Sequence, residues 1–172
     1  MSDADGKVII MDAVSYDKIL EYQLPEISSS ILTIVGDTIY NIDTLNGTIM
    51  STALENIMEY QNEINWDHVG SFPNETKWIR NSAAVDGSII YFVTYSGILY
   101  EYNTESKTTI KRGQIEPNNS YYASLIVVNN VLYIQKYNFS YSYDRKVLST
   151  ITTPDDRYHC GLFELRNGVC RV

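Results

Sequence analysis

The sequence is poor in the residues from which metal centres, disulfide frameworks and nucleic-acid surfaces are built. It has two cysteines and two histidines among 172 residues, whereas a catalytic metal site needs several convergent ligands. Lysine and arginine number 13 against 21 acidic residues, which gives a net charge of −8, and they form no basic run. Nucleic acids and anionic membranes require clustered positive charge. We therefore expect no metal, no cofactor, no nucleic-acid partner and no membrane partner.

Long apolar runs and recognisable enzyme motifs are also missing. No stretch approaches the length needed to span a bilayer, and the polar, acidic first residues do not resemble a secretory signal. We expect a cytoplasmic protein, although N-glycosylation sequons at Asn46, Asn74, Asn118 and Asn138 leave an extracellular location open. No phosphate-binding glycine loop or nucleophile elbow occurs.

The two cysteines are predicted to be reduced. If Asn167 and Gly168 form a two-residue hairpin turn, Leu165 pairs with Cys170. Cys160 then lies five positions further along its strand, roughly 16 Å away at strand rise. A disulfide requires Cα atoms within about 7 Å of each other.

What the chain does have is a repeat of tyrosine followed by a polar residue, at intervals of 44, 42 and 41 residues. A period near forty in a sequence rich in strand-forming residues is typical of radially repeated β-sheets. Prolines fall between successive copies, where a connection needs no ladder N–H. The motifs begin at Tyr16, Tyr60, Tyr102 and Tyr143, and the prolines are Pro25, Pro73, Pro117 and Pro154.

Each copy is predicted to form a blade of four antiparallel strands joined by tight turns. Turns are expected at Gly36-Asp37, Asp86-Gly87 and Asn129-Asn130. In the first copy, residues 54–64 have weak helical periodicity, but we favour strand because Tyr60 keeps the period. The third and fourth strands of that copy are then expected at 58–60 and 64–66.

The two ends of the chain are predicted to complete one further blade. Residues 7–11 and 18–22 supply its third and fourth strands, and residues 162–165 and 169–172 supply its first and second. Sharing a sheet in this way would cover exposed strand edges. The expected fold is all-β, a single four-bladed β-propeller domain over residues 1–172. Its blades are placed at approximately 25–66, 73–110, 117–151, and 154–172 with 1–24.

The repeats resemble those of the Kelch family, most closely in the second copy. The residues that carry the resemblance are Trp66, Gly70 to Pro73, Arg80, Ala83 to Gly87, Ile90-Tyr91 and Tyr102-Asn103. The double glycine typical of Kelch repeats is absent: Asp43-Thr44, Val93-Thr94 and Gln135-Lys136 stand at its positions. The resemblance implies a propeller, and hemopexin-like four-bladed propellers are the alternative by size.

Candidate functional residues are aromatics and arginines in the loops expected on one propeller face. These residue types are enriched at interaction hot spots, whereas His68 and His159 are isolated. We predict a non-enzymatic interaction or scaffold module that binds another protein. The alternatives are a carbohydrate-active enzyme or lectin-like binder that uses the central channel, and a structural subunit of an assembly; a small-molecule or glycan ligand stays open. The candidates are Phe72, Trp78, Arg80, Tyr95, Tyr121, Tyr122, Tyr137, Phe139, Arg157 and Tyr158.

Overall fold

The computed structural model of the protein describes residues 7–12, 14–23, 30–59, 64–75, 83–115, 123–136, 139–143, 148–151, 164–166 and 169–171. Those ranges contain sixteen strands and one helix. In chain order they are β1 (Lys7–Met11), β2 (Lys18–Gln23), β3 (Ser30–Val35), β4 (Thr38–Asp43), β5 (Thr48–Ala53), α1 (Leu54–Glu59), β6 (Asp67–Ser71), β7 (Ala84–Asp86), β8 (Ile89–Val93), β9 (Ile98–Asn103), β10 (Thr108–Gln114), β11 (Ala123–Val128), β12 (Val131–Lys136), β13 (Phe139–Tyr143), β14 (Leu148–Ile151), β15 (Glu164–Arg166) and β16 (Val169–Arg171).

Twelve of the strands form three antiparallel sheets of four, in which each strand pairs with its neighbour in sequence. We call them the first blade (β3–β6), the second blade (β7–β10) and the third blade (β11–β14). The predicted repeat of four-stranded units is therefore confirmed. The first strands of neighbouring blades contact each other, β3 with β7 and β7 with β11, as in radially arranged sheets.

The turn between the first and second strands of each blade follows from its residues. Gly36 and Gly87 begin the turns of the first two blades with φ of 57° and 59°, and Asn129 and Asn130 form the third with φ of 52° and 63°. Two-residue hairpins need such positive φ, which glycine and asparagine tolerate. The second turn is Gly87-Ser88, one residue later than predicted, because Asp86 pairs with Ile89 as the last residue of β7.

The first blade departs from the sequence prediction after β4. Its third strand is β5 rather than a strand at 58–60, since residues 58 and 59 belong to α1. Its fourth strand is Asp67–Ser71 rather than 64–66. Between the two lies α1, so the preference for strand was wrong over residues 54–59, and residues 60–63 lie outside the described residues. The helix buries Ile57 in a separate cluster with Ile39 and Ile64. Leu54, three residues before Ile57, packs against the same cluster, as the apolar spacing of an amphipathic helix predicts. Tyr60 lies outside the described residues.

Two apolar layers hold the three blades together. The layer between the first and second blades contains three packed aromatic rings: Phe72 lies 4.9 Å from Phe92 and 5.4 Å from Tyr100, measured between ring centroids. The layer between the second and third blades is mainly aliphatic, with Val93, Leu99 and Leu132 packed beside Tyr91. Each blade is thus covered on the face that meets its neighbour.

The end hairpins form two separate sheets, β1 with β2 and β15 with β16. The predicted pairing of Leu165 with Cys170 is confirmed, while Cys160 lies outside the described residues. The prediction that both hairpins share one sheet was wrong. Pairing within each hairpin is local in sequence, whereas one shared sheet needs strands from opposite ends of the sequence to meet, at a larger loop-closure entropy. A closed four-bladed ring is therefore not observed.

The tyrosine repeat mixes different structural positions. Tyr102 and Tyr143 are equivalent, because they pair with the second residue of the preceding strand, Ile90 and Leu132 respectively. In the first blade, Thr52 holds that position opposite Ile39. Tyr16 lies in the β1–β2 turn with φ of 60° and is 73% exposed. The period follows the blade length, but the tyrosines do not share one role.

Tyr102 makes stability depend on alkaline pH. Burial, with a smaller contribution from neighbouring Tyr40, raises the pKa of the Tyr102 phenol from 10.0 to about 12. Because the folded pKa lies above the unfolded one, this stabilisation is complete below pH 10 and is lost as pH rises from 10 through 12. A pKa that is higher in the folded than in the unfolded state makes stability depend on pH in this way. Chemical unfolding of the wild type and Tyr102→Phe at pH 9 and pH 12 should show a smaller alkaline loss in the variant, and equal losses would contradict this.

Candidate interaction face

One end of the blades gathers the loops that join second to third strands and the chain that leaves each fourth strand. In an antiparallel sheet these segments lie at the same end. We call the loop face the set of residues 43–47, 72–75, 94–97 and 115. The opposite end holds the first-to-second turns and the Asn103–Lys107 turn, where the amide of Thr104 donates to the carbonyl of Ser88 over 2.9 Å.

The loop of the first blade is shaped by Asp43. Its carboxylate accepts hydrogen bonds from the amides of Leu45 at 2.9 Å and Asn46 at 3.2 Å, and from Nδ2 of Asn46 at 2.6 Å. This is an Asx turn, which aspartate forms readily. Gly47 closes it with φ of 65°. Asp43 is buried and has a structural role, so it is not a free carboxylate of the face.

Backbone hydrogen bonds fix the departing chain to these loops. The amide of Phe72 donates to the carbonyl of Gly47 and the amide of Glu75 to that of Thr44, both over 2.9 Å. The second blade repeats the first of these bonds, since Ile115 donates to Gly97 over 2.7 Å. In two blades, the chain that follows the fourth strand is thus hydrogen-bonded to the loop between the second and third strands.

A side-chain bond joins the two blades at this face. Oγ of Ser96, in the β8–β9 loop, donates to Oε2 of Glu75 at 2.6 Å. Burial, and secondly the charge of Glu75, raise the pKa of the Tyr100 phenol beneath them. Charge-assisted hydrogen bonds are short and comparatively strong. The Glu75–Ser96 pair therefore holds the loops of the first and second blades in one arrangement.

We expect Ser96→Ala to lower the free energy of unfolding by about 1 kcal/mol, because it removes a charge-assisted bond from a half-buried site. The matched control is Ser106→Ala in the exposed turn at the opposite end, where Oγ contacts Oγ1 of Thr108 at 2.7 Å; it should change stability by less than about 0.5 kcal/mol. Chemical denaturation measures both. Equal small effects would show that the Glu75–Ser96 bond does not hold the loops.

The structure corrects part of the predicted site. Phe72 is not available to a ligand, because its ring is buried between the first two blades. Tyr95 is at the loop face but half-buried against the same layer, and Phe139 begins strand β13 rather than lying in a loop. The other predicted residues lie outside the described residues; they are Trp78, Arg80, Tyr121, Tyr122, Tyr137, Arg157 and Tyr158.

Other candidate chemistry is sparse in the described ranges. Nε2 of His68 lies 3.0 Å from Oγ of Ser71 on the exposed strand β6, and His159 is outside those ranges. The described residues contain no group of three or more histidine, cysteine, aspartate or glutamate side chains that could hold a metal ion. Among the same residues, no helix has the length and hydropathy to cross a membrane.

Comparison with known proteins finds similar structures but no similar sequences. No protein-family model matches the chain, and no curated protein matches its sequence. Sqt1 from Saccharomyces cerevisiae is similar with a TM-score of 0.57 at 13% identity, over 86% of this chain and 44% of that one. The computationally designed Ika4 protein gives 0.53 at 10% identity, over 87% and 81%. BamB from Moraxella catarrhalis gives 0.51 at 17% identity, over 82% and 44%.

These likenesses place the chain among β-propeller-like folds. The protein has a propeller-like fold. Neither Kelch membership nor a count of four blades is confirmed by them. The chain spans less than half the length of Sqt1 and of BamB.

Proposed function

We propose that the protein is a non-enzymatic interaction module whose loop face binds another protein. The observation that carries the proposal is the 2.6 Å bond from Ser96 to Glu75, because it holds loops of two blades in one surface. Binding segments on loops that a rigid scaffold positions are a recurrent arrangement in proteins. The propeller-like neighbours are consistent with such a scaffold.

The surface is ordered before a partner arrives. Phe72 is buried and its amide is bound to Gly47, so the following residues start from a fixed point. Pro73 and Asn74 are exposed, and Glu75 and Tyr95 are half-buried beside them. A preformed surface binds more tightly because less conformational entropy is lost. The exposed polar groups and the carboxylate favour a partner segment that offers N–H donors, such as arginine, lysine or backbone amides.

Site-specific photo-crosslinking tests the proposal. A photo-reactive amino acid at Asn74, on the loop face, should capture a defined protein when the chain is present in cells that contain its partner. The matched control carries the same group at Glu105, which is exposed in the turn at the opposite end. We expect the captured protein, identified by mass spectrometry, from Asn74 and not from Glu105.

The affinity of the identified protein for the chain, measured with purified components, then shows whether it binds through the loop face. Glu75→Gln keeps the size of the side chain but removes its charge, and should weaken binding about tenfold if that carboxylate meets a cationic partner group. Glu105→Gln should not change the affinity. Equal capture from both ends, or a purified protein whose affinity both variants leave unchanged, would contradict the proposal. The carbohydrate-binding alternative stays a prediction, as no described contact favours it.

A further inference from the structure

The hairpin β15–β16 has the features of the first two strands of a blade. Arg166 pairs with Val169, so two residues separate its paired strands, as in the first and second strands of the three blades. Twelve residues separate β14 from β15, and twelve also separate β6 from β7. The hairpin thus stands where the first half of a further blade is expected.

The hairpin β1–β2 has the features of a third and fourth strand. It directly precedes β3, which begins a blade, as β6 precedes β7 and β10 precedes β11. Oδ1 of Asp12 accepts bonds from the amides of Val14 and Ser15 at 2.8 and 2.7 Å. In the β9–β10 turn, Oδ1 of Asn103 accepts from the amides two and three residues later, both at 2.9 Å. The residue four positions after each acceptor has positive φ, 60° at Tyr16 and 56° at Lys107.

This equivalence fixes a register between the two hairpins. Met11 precedes Asp12 as Tyr102 precedes Asn103, and Met11 pairs with Lys18 as Tyr102 pairs with Thr109. Cys170 is the second residue of β16, as Ile90 is of β8. Since Ile90 and Tyr102 are partners across β8 and β9, a blade assembled from the two hairpins would place Cys170 opposite Met11.

Several apolar residues that would contact this composite blade, or pair within it, are exposed in the single chain. The residues at the same positions in the complete blades are buried. Met11 is 44% exposed and Tyr102 is 0% exposed. Tyr133 is the third residue of β12, and the residues at that position in the first two blades, Tyr40 and Tyr91, are 8% and 2% exposed because the following blade covers them. Tyr133 is 38% exposed, and its strand partner Ile126 is 47% exposed. The far face of the third blade therefore matches a surface that another blade covers.

We propose that a second copy of this chain supplies the missing halves. Strand β16 of one copy pairs antiparallel with β1 of the other, and the composite blade covers Ile126 and Tyr133. Twofold symmetry then generates two identical composite blades beside six whole ones, so both half-blades are used. Two findings favour a second copy over closure within one chain. The half-sheets are separate in the single chain, and the far face of its third blade leaves Ile126 and Tyr133 exposed.

A disulfide trap tests this pairing. The full chain carrying Cys160→Ser and Met11→Cys keeps one native thiol, at Cys170, and one new thiol in the predicted opposite position. Residues opposed across antiparallel strands have Cα atoms about 4.5–5.5 Å apart, within the range of a disulfide. After mild oxidation with oxidised glutathione, we expect a covalent species of twice the 19.7 kDa chain mass on a non-reducing gel. Light scattering of the unmodified chain should give the same doubled mass.

The control variant is Ile10→Cys in the same background, one residue along β1 and therefore on the other face of the strand. It should crosslink at least tenfold less. A crosslink formed within single chains of monomeric mass would overturn the proposal in favour of closure in one chain. Monomeric mass without crosslinking would overturn it as well. A doubled mass with no preference for Met11→Cys over Ile10→Cys would place the contact elsewhere and equally reject the predicted pairing.

Discussion

Replacing Tyr102 with alanine should lower the free energy of unfolding by about 4 kcal/mol, within the range for truncating a large buried aromatic side chain. Tyr102 lies in β9, is fully buried and packs edge-on against Tyr40, with ring centroids 6.1 Å apart. Its hydroxyl donates to the carbonyl of Val69 in the neighbouring blade at 3.0 Å. The variant loses packing on both sides of the layer between the first and second blades, and chemical denaturation measures the loss.

Two control variants separate the contributions of Tyr102. Tyr102→Phe keeps the ring and removes only the bond to Val69, so we expect a loss of about 1 kcal/mol. Tyr16→Ala removes another tyrosine of the same sequence repeat, but an exposed one, and should stay within about 0.5 kcal/mol of the wild type. If Tyr102→Ala were as mild as Tyr16→Ala, the packing of the first blade against the second would be wrong.

Gly47→Ala should destabilise the protein by about 3 kcal/mol or more. A Cβ at this position would overlap the carbonyl oxygen of Phe72 and lie 2.9 Å from the amide nitrogen of Asn74. Both are backbone atoms, so the clash can be relieved only by moving the chain that leaves β6. The φ of 65° adds about 1–2 kcal/mol of left-handed strain, and overpacking adds about 1–3 kcal/mol.

Gly36→Ala is the matched control for Gly47→Ala. Gly36 has nearly the same φ, 57°, but a Cβ there would meet nothing within 4 Å. The control should therefore show only the strain, about 1 kcal/mol. Thermal or chemical unfolding of both variants gives the difference, and equal effects would contradict the contact between the β4–β5 loop and the departing chain. Gly47→Ala should also weaken partner binding, since that contact orders the loop face.

The sequence predicted the parts of the fold that short-range chemistry determines. The turns at Gly36-Asp37 and Asn129-Asn130 were correct because these residues suit the backbone of tight hairpins, and the opposition of Leu165 and Cys170 followed from one such turn. Helix α1 was missed because its single turn of apolar spacing could not outweigh the tyrosine period. The tyrosine period also wrongly indicated that its tyrosines occupy equivalent positions, since Tyr16 lies in an exposed turn and Tyr102 is buried.

The candidate site was harder to predict, because it depends on contacts between residues distant in sequence. Glu75 and Ser96 are 21 positions apart and carry no motif, so only the packing of two blades brings them together. Phe72 was chosen because it falls in a predicted connection between blades and aromatic residues are enriched at hot spots, yet its side chain fills the layer between blades. A sequence pattern shows that an aromatic is present, but not which side of a loop it occupies.

The hydrogen bonds that make the loop face rigid are also the ones that position the residues proposed to bind a partner. The bonds from Phe72 to Gly47 and from Glu75 to Thr44 end the first blade and also set the position of the exposed residues that follow. The closure of the chain by a second copy concerns other strands, β1 and β16. The two proposals can therefore fail independently, because Met11 and Cys170 lie on neither the loop face nor its supports.

Amide hydrogen exchange of the chain, free and bound to the partner captured at Asn74, tests whether the loop face is the binding surface. We predict that binding slows exchange in residues 44–47, 72–75 and 94–97, and leaves the opposite end unchanged at residues 36–37, 87–88 and 103–107. Slowed exchange at that opposite end, with the loop face unaffected, would show that the partner does not bind the loop face.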